Sequence, residues 1–248
     1  MFTPQGPTLR ELAVQALSSV EHGYDLLAPK FDDTPFRTPD SILDAVGRAL
    51  GRMGPFDSGL DLCCGTGAGM DVLGRLCRKS VTGIDISAGM LAVGRERARA
   101  DGAPPRLAWV RGDARALPFG PAFDLVVSFG AFGHFLPRER PNLFAQVHSV
   151  LRPGGRFAFP LPAPAPAGSP WYWALLGFDA AMRLRNALWR PPFVMYYRAF
   201  RLADVQRELA GAGFDVQLQS LPEFGHRSDG SPRCRMVVAT RTDGEGPH

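Results

Sequence analysis

Short apolar segments alternate with helical patterns along the middle of the chain, and this alternation limits the folds that the chain can adopt. The apolar segments are GLDLCC, SVTGID, RLAWVRGD, FDLVVSFG and GRFAFPL. Near-continuous apolar strands separated by helices predict a parallel sheet that is covered on both faces. Two further strands, DVQLQSL and RCRMVVATR, are predicted to close the sheet as an antiparallel pair. The predicted fold is a doubly wound, mostly parallel seven-stranded α/β sheet with its ligand at the carboxyl ends of the strands.

The glycine-rich segment LDLCCGTGAG follows the first predicted strand and admits several interpretations. A dinucleotide-binding loop needs a third glycine at position 70, where Met70 stands, and a P-loop needs a lysine that is missing nearby. Adjacent Cys63 and Cys64 at the end of a buried strand suit small buried side chains better than a metal site or a disulfide. The ligand of this loop must therefore be identified from the strands that follow.

Acidic residues end the next two predicted strands. Asp85 closes the second strand in VTGIDIS, where a carboxylate is positioned to accept two hydrogen bonds from a ribose diol and repels a phosphate. Asp113 follows the third strand in RGDARALPF, where it can accept from the exocyclic amine of adenine. These positions favour a nucleoside ligand.

Five motifs in order, LDLCCGTGAG, VTGIDIS, RGDARALPF, FDLVVSFGAFGHF and LRPGGRFAF, resemble those of the class I S-adenosylmethionine-dependent methyltransferases. The resemblance covers residues 58–160. It is closest to the broad group that includes the ubiquinone/menaquinone-biosynthesis methyltransferases and many small-molecule methyltransferases. One departure is that Cys63 stands where the family has the first glycine of its loop.

The resemblance implies S-adenosyl-L-methionine as the cofactor and assigns a role to each matching position. The loop residues would shape the site for the methionine and ribose groups, Asp85 would bind the ribose hydroxyls, and Ile86 would pack on adenine. The Asp113 carboxylate and the Ala114 amide would contact the adenine edge. The implied cofactor-binding residues of the core are Asp61, Cys63, Gly65, Thr66, Gly67, Asp85, Ile86, Met90, Gly112, Asp113, Ala114, Ser128 and Phe129.

The first 56 residues are predicted to form a helical lid segment. TLRELAVQALSSVEHGYDLL has apolar residues at helical spacing, and DSILDAVGRALGRMG predicts another helix. Within it, YDLLAPKFD resembles an element of these enzymes that lies across the bound cofactor, with Phe31 in place of a second tyrosine. Tyr24 is therefore a candidate lid residue, and Arg37 is a candidate partner for the cofactor carboxylate. An ordinary packing tyrosine and a solvated arginine are the alternatives.

Residues 162–200 interrupt the core, which is predicted to comprise residues 57–161 and 201–242. The segment begins with a Pro/Ala linker and continues into an amphipathic pattern rich in Trp and Tyr. It is predicted to be a substrate cap for an apolar or aromatic acceptor, with its arginines as an anionic handle; the alternatives are a cap core, a homodimer face and an interfacial helix. The candidate substrate-binding residues are Phe132, His134, Trp171, Trp173, Tyr196 and Tyr197, and the candidate arginines are Arg183, Arg185, Arg190 and Arg198.

A catalytic base, if the reaction needs one, is predicted to be His134, which follows the fourth strand near the expected methyl position. The alternative is a histidine that only packs there. Neither of the proline-containing motifs of base and amide methyltransferases follows this strand, and no Pro-Cys nucleophile is present, which disfavours DNA as the acceptor. The sequence predicts methyl transfer to an O, N or C atom of a small molecule.

The bulk composition is that of an ordinary globular protein, with 45% hydrophobic residues and a formal net charge of +4. The chain shows neither a secretory signal nor an apolar run that could span a bilayer, so we expect a cytoplasmic protein without integral membrane association. Four cysteines without paired spacing predict neither a zinc site nor a disulfide framework. An RNA or protein methyltransferase and a non-catalytic S-adenosylmethionine-binding protein remain as alternative functions.

Overall fold

The computed structural model describes residues 6–100, 106–197 and 200–242. Seven strands in these ranges form one sheet in the order β3-β2-β1-β4-β5-β7-β6. All neighbours are parallel except β7, which runs antiparallel to β5 and β6. The predicted doubly wound, mostly parallel sheet is thereby confirmed. The strands are β1 Phe56–Leu62, β2 Cys77–Asp85, β3 Leu107–Arg111, β4 Phe123–Val127, β5 Leu151–Pro162, β6 Phe214–Ser220 and β7 Cys234–Arg241.

Eight α-helices in the described ranges accompany the sheet. Helices α3 to α5 contribute to the apolar cluster on one face, and α6 and α8 contribute to the cluster on the other face. The helices are α1 Leu9–Leu17, α2 Val20–Leu27, α3 Asp40–Gly51, α4 Ala68–Leu76, α5 Ala88–Ala100, α6 Arg140–Val150, α7 Pro170–Leu188 and α8 Leu202–Gly211. The carboxyl ends of the parallel strands remain free of these two layers and hold the candidate site.

The central strands are apolar on both sides because each side meets a helical layer. In β4, Val126 packs into one cluster while Leu125 and Val127 pack into the other. Leu60 and Leu62 of the neighbouring β1 join Val126. This period of two, with apolar residues on both faces, explains why the strands are near-continuous hydrophobic runs in the sequence.

Two predicted helices have different ends in the structure. The helical pattern predicted over residues 8–27 divides into α1 and α2, because Ser18 is extended and the Ser19 hydroxyl accepts a hydrogen bond from the His22 N–H at 3.1 Å. This N-cap starts a new helix. The sequence RERPNLFAQVHSVLRPGG predicts a helix that Gly154 terminates, but the helix ends at Val150, since Leu151 is extended and pairs with Phe123 as the first residue of β5.

Two glycines of α4 give a matched test of this packing. A Cβ at Gly69 would lie 2.5 Å from Asp61 Oδ2, whereas a Cβ at Gly74 would meet nothing within 4 Å. Gly69→Ala is expected to lower the free energy of unfolding by about 1–3 kcal/mol through overpacking. Gly74→Ala is expected to raise it by about 0.5–1 kcal/mol through helix propensity. Urea denaturation measures both changes, and equal effects at the two positions would contradict the close approach of Asp61 to α4.

Candidate active site

A cavity of about 460 Å³ lies at the carboxyl ends of the parallel strands, between the core and the N-terminal helices. Four chain segments that follow β1 to β4 contribute to its wall, as does α2. Its lining includes ten of the predicted cofactor-binding residues: Tyr24, Cys63, Gly65, Asp85, Ile86, Met90, Gly112, Asp113, Ala114 and Phe129. Sequence positions that are far apart therefore meet at one edge of the sheet.

The Asp85 carboxylate is held by backbone donors at the end of β2. Its Oδ2 accepts from the Gly65 N–H and its Oδ1 accepts from the Ser87 N–H, both at 2.9 Å. Burial raises the pKa of Asp85 above its ordinary value, although these hydrogen bonds oppose the rise. Each oxygen keeps a further lone pair for a ligand in the cavity. Asp85 is thus a preoriented acceptor beside the glycine-rich loop.

Asp61 lies beneath the same loop and is almost completely buried. Its Oδ2 has no hydrogen-bond partner among the residues that the structure describes. Burial raises the pKa of Asp61 well above the ordinary value, and repulsion from Asp85 adds to the rise. Two carboxylates near one loop make this part of the site favourable for a cation.

Cys63 has a left-handed backbone, with φ of 58°, and no other non-glycine residue among the described ones has a positive φ. The resemblance places a glycine here, and the left-handed conformation supplies the physical reason for that glycine. Burial raises the pKa of the Cys63 and Cys64 thiols well above the usual range. Both thiols are therefore protonated near neutral pH and act as small packing groups.

The backbone at Cys63 can be tested with two substitutions. Cys63→Gly removes a strain of about 1–2 kcal/mol but loses packing and gains unfolded-state entropy, so we expect a net change within about 1 kcal/mol. Cys63→Val places a β-branched residue in the left-handed region. Its free energy of unfolding is expected to be about 2 kcal/mol lower than that of the glycine variant. Urea denaturation measures the difference, and equal stabilities would argue against the positive φ.

Asp113 has a partner that the sequence analysis did not identify. Its carboxylate accepts from Arg115 Nε at 3.0 Å and from Arg115 Nη2 at 2.8 Å. Burial acts to raise the pKa of Asp113, but the hydrogen bonds from Arg115 outweigh it and the pKa lies below the ordinary value. Arg115 also forms an ion pair with Glu139 at 2.8 Å. Asp113 is therefore ionised and fixed in orientation at the cavity wall.

Two acids of the N-terminal segment attach it to the core. Asp25 Oδ1 accepts from the Ser87 hydroxyl at 2.6 Å and from the Gly89 N–H at 2.8 Å, at the start of α5. Asp32 accepts from the Thr66 hydroxyl at 2.7 Å, within the glycine-rich loop. We name this pair of contacts the lid anchors. Both acids lie in YDLLAPKFD, a motif whose family resemblance implies a role only for the tyrosine.

Tyr24 and His134 form a hydrogen-bonded pair that faces the cavity. The Nδ1 of His134 is 2.7 Å from the Val194 carbonyl oxygen, which can only accept, so Nδ1 carries the proton of the neutral ring. Its Nε2 then accepts from the Tyr24 hydroxyl at 2.8 Å. Burial lowers the pKa of His134, against the hydrogen bond to Val194, and burial raises the pKa of Tyr24. His134 is therefore neutral at pH 7, and both members of the pair line the cavity.

Five predicted cofactor residues lie outside the cavity lining. Thr66 and Ser128 are buried, and the Ser128 N–H and hydroxyl bond to the Ala158 and Leu62 carbonyls. Arg37 forms an ion pair with Asp40 at 2.8 Å and a longer one with Asp32. The five residues outside the lining are Arg37, Asp61, Thr66, Gly67 and Ser128. Their predicted contacts with the cofactor stay predictions.

The structure places the predicted substrate residues in different surroundings. Phe132 is a core residue stacked on Phe200 with 4.4 Å between ring centroids. Tyr196 is buried, and its hydroxyl accepts from Asn186 at 3.0 Å. Of the six predicted substrate residues, only His134 is in the cavity lining.

The cap aromatics and arginines mostly face away from that cavity. Trp171 and Trp173 are 66% and 60% exposed on α7, and Tyr197 packs against Phe178 on the outside. The cap arginines also have other roles: Arg183 lies over the Tyr196 ring, Arg185 donates to the Ser18 and Pro191 carbonyls, and Arg190 is exposed. Arg198 lies outside the described residues. Instead, the apolar cavity wall comes from Val20, Phe31, Phe36, Phe135, Leu136 and Val194.

The sheet order, the glycine loop at the end of β1 and the acids at the ends of β2 and β3 agree with the arrangement that the sequence resemblance predicts for a class I S-adenosylmethionine-dependent methyltransferase domain. Residues 60–155 match the family described as "Methyltransferase domain". The ubiquinone/menaquinone biosynthesis C-methyltransferase UbiE of Paracoccus denitrificans is 43% identical over 100 residues, which are 39% of each chain. The 2-phytyl-1,4-naphtoquinone methyltransferase of Synechococcus elongatus is 31% identical over 156 residues, which are 59% of this chain and 65% of the relative.

The chain thus spans less than two thirds of the length of these two relatives. Solved structures share the fold at low identity. The [4+2]-cyclase SpnF superposes with a TM-score of 0.63 at 16% identity, over 91% of this chain and 96% of the other. Magnesium protoporphyrin IX methyltransferase of Synechocystis, solved with bound SAH, has a TM-score of 0.57 at 20% identity, over 82% of each chain. These likenesses establish the fold alone, since one fold hosts different chemistries.

Across the described residues, every helix is too short or too polar to cross a lipid bilayer.

Proposed function

We propose that this protein transfers a methyl group from S-adenosylmethionine to a carbon atom of a hydroxylated aromatic small molecule of the quinol class. The observation that carries the proposal is the cavity itself, where the preoriented Asp85 carboxylate and the Tyr24–His134 pair line the same space. The acceptor class is supported by the names of the two sequence relatives, which are quinone methyltransferases. The apolar side chains of the cavity wall suit an aromatic ring.

The residues at the strand ends fit S-adenosylmethionine. Asp61 has a buried oxygen without a partner among the described residues, and Asp85 has a raised pKa. A ligand in the cavity can bring hydroxyl donors to the Asp85 carboxylate and so offset the cost of its burial. Asp61 lies outside the lining, so the positive charge of the ligand would favour its ionised form only through space. Gly65 leaves open space beside Phe31 of the cavity wall, and Ile86 can flank an adenine ring. We infer that Asp85 holds the ribose and that Asp113 and Ala114 contact the adenine edge.

The cofactor, when bound, supplies an activated methyl group, so the chain must position the acceptor, exclude water and accept one proton. We assign the proton step to Tyr24 and His134. The Tyr24 oxygen takes the proton of an acceptor hydroxyl while its own proton passes to His134 Nε2, and His134 becomes cationic with Nδ1–H still bonded to the Val194 carbonyl. Loss of that proton would raise the electron density of the neighbouring ring carbon. That carbon would take the methyl group as the bond from the methyl to the cofactor sulfur breaks, and the hydrogen of the same ring carbon would return as a proton to the ring oxygen, so that one proton in total stays on His134. His134 thus acts through Tyr24.

The test combines calorimetry with a turnover assay. We expect S-adenosylmethionine to bind and reduced 1,4-naphthoquinones with short side chains to be methylated, with a mass gain of one methyl group in the product. Two parallel reactions offer the enzyme RNA or a protein mixture as the acceptor. A third reaction contains the naphthoquinols without the enzyme. Binding without any turnover would support a non-catalytic protein, and methylated RNA or protein without quinol turnover would overturn the acceptor class. Absence of cofactor binding would overturn the whole proposal.

A further inference from the structure

One face of helix α7 packs against the rest of the described structure, and the opposite face is exposed. On the covered face, Asp179 Oδ1 accepts from the Tyr197 N–H at 2.9 Å, and Met182 packs in a cluster with Phe193 and Tyr196. Asn186 lies one turn further along and bonds to the segment after the helix. The residues at 179, 182 and 186 follow helical spacing and attach α7 to the rest of the protein.

The opposite face of α7 is exposed and wholly apolar. Its two most exposed large side chains, Leu184 and Leu188, are 62% and 76% exposed. We name it the α7 outer face and define it by Trp173, Leu176, Gly177, Ala180, Ala181, Leu184, Ala187 and Leu188, all of which are exposed. These positions repeat at three- and four-residue steps along four turns, so they form one continuous stripe. A contiguous apolar surface of this kind marks an interaction site.

The charges around this stripe favour an anionic partner. Between residues 170 and 190, all of which the structure describes, the exposed charged residues are Arg183 and Arg190. The single acid there, Asp179, is buried and bonded to the Tyr197 backbone. A second copy of α7 packed on this face would bring arginines near arginines with no exposed acid on the helix to compensate. A surface of anionic lipid headgroups supplies the missing negative charge.

The tryptophans of the segment agree with a lipid surface. Trp171 and Trp173 lie at the start of α7, Trp189 follows its end, and all three rings are largely exposed. Indole rings prefer the boundary between headgroups and acyl chains, and a helix with arginines beside an apolar stripe of Leu and Trp is typical of in-plane membrane binding. Helix α7 is not long and apolar enough to span the bilayer, so it would lie on the membrane surface.

We propose that the α7 outer face docks the protein on an anionic membrane surface, with α7 parallel to the bilayer plane. The segment just after the helix lines the cavity through Pro192 and Val194. One wall of the cavity therefore belongs to the segment that directly follows the docked helix and packs on its covered face. The binding itself does not depend on methyl transfer, but it would hold the enzyme at the surface where an amphiphilic acceptor of the class proposed above collects.

The experiment is flotation of the full chain with vesicles of phosphatidylcholine alone and of phosphatidylcholine with one third phosphatidylglycerol. We expect binding to the anionic vesicles to be stronger by about 10-fold or more, and to weaken with salt, because each arginine at the surface adds attraction. Leu184→Glu/Leu188→Glu is expected to reduce this binding by about 10-fold or more, since charge is excluded from the acyl region. Leu218→Glu is the matched control, because Leu218 is an exposed leucine on β6 and is not part of the α7 outer face.

Calorimetry with S-adenosylmethionine verifies that each variant keeps a folded site, so failure of docking and failure of the proposed function give different results. Arg190→Gln supplies a second test if the double variant does not fold, and we expect it to bind anionic vesicles about fivefold more weakly, with unchanged binding to phosphatidylcholine. The proposal is overturned if the wild type ignores both vesicles or if the double variant binds like the wild type. It is also overturned if the chain is a dimer that the double variant separates and no vesicle binding occurs.

Discussion

Asp85→Ala is expected to weaken S-adenosylmethionine binding by about 100-fold or more, because two hydrogen bonds to a charged acceptor contribute roughly 3–6 kcal/mol together. The effect is large because the Gly65 and Ser87 N–H groups already orient the carboxylate, so ligand binding costs little side-chain entropy at Asp85. Isothermal calorimetry measures the dissociation constant of the variant and the wild type. Asp215→Ala, at an exposed position on β6, is the matched control and should bind normally.

The same site predicts a pH dependence of cofactor affinity. Asp85 must be ionised to accept from two hydroxyls, and burial raises its pKa, with Asp25 adding repulsion. Protonation therefore begins at a higher pH than for an ordinary aspartate, and affinity is expected to fall as the pH falls through that raised pKa. The Asp85→Ala variant should lose this component. If Asp85→Ala binds S-adenosylmethionine as tightly as the wild type does, the proposed role of Asp85 is refuted.

Tyr24→Phe is expected to reduce kcat by about 100-fold while changing the dissociation constant of S-adenosylmethionine by less than about threefold, since general acid–base groups contribute roughly 10²- to 10⁴-fold. Phenylalanine keeps the ring contacts with Phe31 and Phe193 and removes only the hydroxyl that bonds to His134. Single-turnover assays with a reduced naphthoquinone separate the chemical step from binding. Tyr172→Phe, on α7 outside the cavity lining, is the matched control.

The pH profile adds a second readout for this pair. His134 must be neutral to accept the proton, and burial lowers its pKa below the ordinary 6.5. The rate should therefore stay constant as the pH falls to about 6.5 and decrease only below it. The free energy of unfolding should also decrease as the pH falls below about 6.5, because His134 binds a proton more readily in the unfolded chain than in the folded one. Wild-type turnover in Tyr24→Phe would exclude the pair from the proton step.

The fold was predictable because its signal is local and repeated. The apolar runs of β1 and β4 are buried on both faces by helical layers, and this burial is visible in sequence as strands without polar alternation. The positions of Asp85 and Asp113 at the cavity followed from the same logic, since parallel strands end at one edge of the sheet. The break between α1 and α2 was missed because a serine N-cap competes with an otherwise continuous helical pattern.

The parts that could not be predicted depend on tertiary contacts. The left-handed backbone of Cys63 is a property of the folded loop, and only the family's glycine at that position pointed to it. Arg115 near Asp113 and the bond from Tyr24 to His134 join residues whose pairing no spacing rule specifies. The aromatic richness of residues 162–200 predicted a substrate cap, but composition cannot tell an inward ring from an outward one. Trp171 and Trp173 face outward.

The lid anchors have a consequence for how the protein exchanges its small molecules. Asp25 bonds to residues just after Asp85, and Asp32 bonds to Thr66 beside Gly65. The loops that we propose as the nucleoside site are thus the loops that hold the N-terminal helices. Whatever free energy a bound nucleoside adds to the order of these loops is shared, by thermodynamic linkage, with the closed position of those helices. We therefore expect a bound nucleoside to strengthen the attachment of α2 to the core, and departure of the nucleoside to weaken that attachment by the same free energy.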